Sequence, residues 1–134
     1  MKISFIDSGV LVAAARSVGE LSKKALGILE DSEREFASSI FIKLEVIPKA
    51  IYHQKAKESE FYETFFSVVT YWANDLDKIV QDAEKIASQY GLAAMDALHV
   101  AAALSVGASE LVTTEKRTKP MYRITSIDLV SLFD

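Results

Sequence analysis

Two rhythms of apolar and polar positions run along this chain, and the points where one gives way to the other divide it into short strands and helices. KISFI, residues 2–6, is β-branched and aromatic and stops at Asp7, so it reads as a buried strand. SGVLVAAARSV follows, with Ser8 placed to cap an alanine-rich helix. In ELSKKALGILEDSE, residues 20–33, Leu21, Ala25, Leu26 and Leu29 form the stripe of an amphipathic helix. REFASS is a brief strand whose serines can cap the next helix, IFIKLEVIPKAIYHQ, which is apolar on one side and expected to bend at Pro48. KAKESE reads as a solvated turn, and FYETFFSVVTYWA, residues 61–73, as a strongly aromatic helix. DLDKIVQDAEKIASQYG repeats apolar positions at Leu76, Ile79, Val80, Ala83, Ile86 and Ala87 and closes at Gly91. LAAMDALHVAAAL, residues 92–104, is a helix almost wholly apolar, with Gly107 ending the element. ELVTTE reads as another strand, KRTKPMYR as a basic loop, RITSI as a last short strand and DLVSLF as a terminal helical turn.

No linker, repeat or low-complexity tract interrupts this series, so the expectation is one domain over residues 1–134. Strands alternating with helices imply a three-layer α/β/α sandwich around a central, mostly parallel sheet. Ligands of such sheets bind beyond the carboxyl ends of the strands. Asp7 stands at that end after the first strand, and Glu115 after LVTT.

Composition narrows the picture. Half of the 134 residues are hydrophobic and a quarter are charged, which is ordinary usage for a chain with one sizeable core. No apolar run reaches the roughly 18–20 residues that span a bilayer. Asp7 interrupts the stretch that a signal peptide would keep apolar. A soluble, cytoplasmic protein is therefore expected. With no cysteine, thiolate nucleophiles and Cys-ligated zinc are excluded, and His53 and His99 lack metal-type spacing. A net charge of −4 argues against a broad nucleic-acid surface and leaves a local one open.

The candidate chemistry lies in the acids. Asp96 sits inside the apolar helix, where an unpartnered carboxylate is costly, and the only other polar side chain there is His99. Each acid has an ordinary reading: Asp7 as a cap, Glu45 in an i,i+4 ion pair with Lys49, Asp96 as an N-cap if its helix begins at Ala97, and Glu115 as a solvated loop residue. Together, at one end of the sheet, they would repel one another unless a divalent cation neutralised them. Oxygen ligands without sulfur favour Mg²⁺ or Mn²⁺, which can activate water and orient a phosphodiester. His99 reads first as a packed histidine with a hydrogen bond, and otherwise as a base. Lys116, Arg117, Lys119 and Arg123 are either a solvated loop or a grip on RNA phosphates beside the metal. The aromatic run from Phe61 to Trp72 reads as core first, and otherwise as an interface.

FIDSGVLVAA (5–14), ASSIFIKLEV (37–46), AAMDALHVAAAL (93–104) and LVTTE (111–115) together resemble the PIN-domain family, which includes the VapC-type toxin ribonucleases. The pieces span nearly the whole chain in the family's order, and Asp-Ala-Leu-His-Val-Ala is the most distinctive. The resemblance implies a compact α/β/α fold and Mg²⁺- or Mn²⁺-dependent cleavage of RNA, with Asp7, Glu45 and Asp96 as the acidic core and Glu115 as the fourth acid. It also implies a homodimer and an antitoxin protein as possible partner. Family members usually carry Asp where Glu115 stands, and Asn or Ser where Gly9 stands. These departures keep a second expectation open, a catalytically weak or inactive PIN-like module that binds nucleic acid or regulates. A phosphoacceptor signalling domain would need an adjacent acid pair after the first strand, where this chain has Asp7-Ser8.

Overall fold

The computed structural model describes residues 1–133 and contains one five-stranded sheet. Its strands are β1 (Lys2–Ile6), β2 (Arg34–Ser39), β3 (Tyr71–Ala73), β4 (Glu110–Thr113) and β5 (Asp128–Ser131). All pairings are parallel, in the order β3-β2-β1-β4-β5. The helices are α1 (Ser8–Arg16), α2 (Gly19–Leu29), α3 (Ile40–Tyr52), α4 (Ala56–Ser67), α5 (Leu76–Tyr90) and α6 (Ala94–Ser105), with a 3₁₀ turn at Pro120–Arg123. The architecture is a three-layer α/β/α sandwich. Phe5 and Ile6 on β1, and Leu111 and Val112 on β4, are consecutive residues with no exposed surface, as expected of strands covered on both faces. In the helical layers α5 packs along α6, while α1 meets α2, α3 and α4.

The chain leaves β1 toward β2 and β3, and the later strands β4 and β5 lie on the other side. The carboxyl ends of β1 and β4 therefore flank the point where strand order reverses, which is where open α/β sheets form a crevice. Asp7 directly follows β1, and Glu115 stands two residues beyond β4. Register places Ile6 opposite Val112, so the two chain segments leave the sheet side by side.

Several elements differ from the sequence expectation. The aromatic helix occupies Ala56–Ser67, so KAKESE supplies its first turns instead of a loop, and Tyr71–Ala73 is an edge strand paired with β2. The β-branched run Val68, Val69 and Thr70 ends the helix, and Tyr71 and Trp72 then suit a pleated, half-buried edge. RITSI forms no strand: Ile124 and Ile127 anchor a loop in the core, and the free edge of β4 is taken by Asp128–Ser131, read in sequence as a helical turn. Helix α2 ends at Leu29, four residues short of the expected end at Glu33. Helix α3 continues through Pro48, which is exposed, as is Leu44, whose carbonyl loses its helical donor. Most of the aromatic run is core: Phe65 packs on Phe36 and Phe66 on Trp72, each pair at 5.8 Å between ring centres.

Candidate metal centre

Asp7, not Ser8, is the N-cap of α1: its Oδ1 accepts the Ser8 N–H at 2.8 Å. The same carboxylate does more than cap. Its Oδ2 accepts the Thr113 hydroxyl at 2.8 Å, and Thr113 Oγ1 in turn accepts the Glu115 N–H at 3.1 Å. One fully buried hydroxyl thus ties the first acid to the backbone of the fourth. Glu115 is held further by its carbonyl, which accepts the Ser131 hydroxyl at 2.9 Å and the Tyr122 hydroxyl at 3.2 Å. A Cβ at Gly9 would collide with the Thr114 hydroxyl, which explains the absence of a side chain there.

Glu45 is not paired with Lys49 as the i,i+4 spacing suggested. Ser39 caps α3 by accepting the Ile42 N–H, and the helix carries Glu45 to His99 of α6, whose Nε2 lies 2.6 Å from Glu45 Oε1. His99 is only 2% exposed, and its Nδ1 is buried without a hydrogen-bond partner. A carboxylate oxygen can only accept at this distance, so Nε2 carries a proton and donates it to Glu45. This bond holds the Glu45 carboxyl below the usual range; burial opposes it, while the charges of His99 and Lys49 and the Ser8 hydroxyl assist.

Asp96 is not an N-cap. Ala93 occupies that position without a side-chain bond, and Asp96 falls in the first turn of α6, half-buried. Its carboxyl is pushed above the usual range, first by burial and then by the charges of Asp7, Glu115 and Glu45, with His99 opposing. The charges of Asp7, Glu45 and Glu115 thus reach Asp96, although the four acids come from the end of β1, α3, α6 and the segment after β4. Among the described residues, the tightest group that can hold a cation is Asp7, Glu45 and His99, each offering a ligand atom within 4.8 Å of the others. Asp96 and Glu115 lie outside that triplet.

Sequence reading missed two contributors. Thr113 looked like one more strand residue, and its part depends on the register of β1 against β4. His99 was read as a packed histidine, and it is one. What sequence did not reveal is its partner, 54 residues away. The donor set, carboxylate oxygens with one imidazole, fits a hard divalent cation.

The basic loop begins directly after Glu115, and three of its four basic side chains have partners of their own. The Lys116 ammonium lies 5.6 Å from the Phe133 ring centre, the Arg117 guanidinium 6.0 Å from that of Tyr122, and Arg123 donates to the Tyr90 carbonyl at 2.8 Å. Lys119 precedes the 3₁₀ turn as its N-cap and is exposed.

The profile of the PIN-domain family matches residues 4–124. No curated protein matches by sequence. Among solved structures, a toxin–antitoxin complex from Klebsiella pneumoniae is similar with a TM-score of 0.72 at 21% identity, covering 96% of this chain and 97% of that one. VapBC2 from Rickettsia felis, bound to a DNA fragment from its promoter, gives 0.70 at 17% identity, with 96% and 98% covered. VapBC-1 from nontypeable Haemophilus influenzae gives 0.70 at 18%, with 98% and 99% covered. At these identities the likeness is one of fold.

Proposed function

We propose, because this chain belongs to the PIN-domain family, that it is a cytoplasmic Mg²⁺- or Mn²⁺-dependent endoribonuclease and the toxin of a toxin–antitoxin pair. The observation that carries the reading is Asp96, a half-buried carboxyl whose charge is disfavoured first by burial and then by three other acids drawn from distant parts of the chain. A fold retains such a cluster at a cost, and a bound divalent cation removes that cost. Asp7, Glu45, Asp96 and Glu115 would hold the ion. When bound, it would supply a water of lowered pKa and a charge against the developing phosphate oxyanion. The chain's own residues prepare the place. Ser8 N–H and Thr113 fix both oxygens of Asp7, and His99 fixes Glu45. Asp96, its charge disfavoured by burial and by the neighbouring acids, is the carboxylate that a bound cation would relieve most.

The toxin part of the reading is supported by the neighbours, which are toxin–antitoxin complexes. Exposed apolar side chains on α3, among them Leu44, Ile51 and Tyr52, offer a surface that an antitoxin or the second copy of a homodimer would cover.

Asp96→Asn tests the nuclease reading. Asn nearly matches the shape and removes the charge, so the purified variant should fold, lose RNA cleavage, and melt at or above the wild type without metal. Unchanged cleavage refutes the assignment. One observation favours the alternative of a weak or inactive binding module: Glu115, longer than the usual Asp, stays outside the tightest group. An absence of products from single-stranded and structured RNAs with Mn²⁺ would decide for it.

A further inference from the structure

Two concavities merge along the face made by α1, α3 and α4. One, of about 560 Å³, is lined by Ser8, Gly9, Thr114 and Glu45 and passes Arg16 and Lys49. The other, of about 460 Å³, shares Arg16, Glu45 and Lys49 and continues to His53, Lys55 and Tyr62. Because they share these walls, they form one groove. It begins beside the acid cluster, at Glu45 and the neighbours of Asp7 and Glu115, and runs outward to the end of α3. Arg16, Lys49 and Lys55 are exposed along it, and none of them forms an ion pair among the described residues. The carboxylates on its walls are Glu45, already bonded to His99, and Glu58. In a chain of net charge −4, three exposed cations against two carboxylates give this groove a local excess of positive charge.

We propose that this groove carries a single RNA strand away from the carboxylate cluster, its phosphates held by Arg16, Lys49 and Lys55. The proposal deepens the ribonuclease reading and rests on it. Cations on a concave track suit phosphates, which position a strand without reading its sequence. Cavities of this size enclose one small ligand's worth of surface, room for one backbone and not for a duplex. At the outer end the groove is lined by His53, an exposed ring on which a base can stack. The basic loop of residues 116–123 is the competing grip, but its Lys116, Arg117 and Arg123 lie against Phe133, Tyr122 and Tyr90.

The test measures fluorescence anisotropy of labelled oligouridylate with the full chain carrying Asp96→Asn, so that no cleavage intervenes, in Mg²⁺ over a range of salt. Lys49→Ala and Lys55→Ala should each weaken binding several-fold, and each should flatten the slope of log affinity against log salt by about 0.7. Lys49→Glu should weaken it more, while Lys119→Ala and Arg123→Ala leave it unchanged. Both lysines are exposed, so the fold is expected to survive, and thermal melts verify it. Unchanged affinity in the groove variants, or losses confined to the loop variants, overturns the proposal. So does a result in which the groove variants keep RNA and lose only polyglutamate, which would make the groove a site for acidic peptide. Mn²⁺ titration of the chain without Asp96→Asn, followed by electron paramagnetic resonance, separates the two readings: groove-dependent RNA binding without Mn²⁺ binding sinks the metal centre and leaves the track standing.

Discussion

Thr113 serves two acids with one hydroxyl, donating to Asp7 and accepting from the Glu115 N–H. Thr113→Val keeps the shape and removes both bonds, so unfolding free energy should fall by about 1–3 kcal/mol, and Mn²⁺ affinity by calorimetry should fall with it. His99→Gln can still donate to Glu45 and should retain more Mn²⁺ affinity than His99→Leu. Equal losses would show that packing alone matters there. Asp96 gives a signed pH dependence. Its folded pKa is raised, so the folded chain holds the proton more tightly, and metal-free stability falls as pH rises from the ordinary carboxylate pKa through the raised one. Asp96→Asn should therefore melt above the wild type at neutral pH, with the gain disappearing in acid. Asp96 stood out in sequence because a lone carboxylate in an apolar helix is physically anomalous, whereas Asp7, Glu45 and Glu115 drew notice by their place at the end of the sheet and by the family resemblance. Their fixers did neither, since Thr113 and His99 are ordinary residues until register and helix packing give them partners.

At the scale of elements, Glu110 binds the opposite end of the sheet. It is 3% exposed on β4 and takes the Ser4 hydroxyl of β1 at 2.6 Å and Arg34 Nε of β2 at 2.9 Å. Burial works against its charge, but these bonds and the charges of Arg34 and Lys2 outweigh it and hold the carboxyl below its usual range. The stability it adds is present above the ordinary glutamate pKa and lost as pH falls through the lowered one. Glu110→Gln should cost about 1.5–3 kcal/mol in urea unfolding, with RNA cleavage per folded molecule unchanged because the site lies at the other end. The central strands β1, β2 and β4 and the long helix α5, with its left-handed Gly91 stop, followed directly from pattern. The edge strands did not. Three or four residues are too few to display a period, and β3 and β5 become strands only because β2 and β4 offer them unpaired edges. RITSI has the composition of a strand and no edge left to join.

For the molecule as a whole, filling the metal centre should act as a ligand of the folded state. At a hundredfold excess over the dissociation constant, linkage gives about 2.7 kcal/mol of stabilisation. A melt series with Mn²⁺ should rise accordingly for the wild type and stay flat for Asp7→Asn, which can still cap α1. An equal rise in both would place the ion elsewhere. The pairing of β1 with β4, and the hold of Ser131 on the Glu115 carbonyl, also set the order in which the centre is completed. Asp7 and the Thr113 hydroxyl that binds it stand 106 positions apart in the chain. A chain still growing on the ribosome, or one cut short before β4, carries the early acids without their complement. The centre is therefore incomplete until β4 has been made and paired with β1.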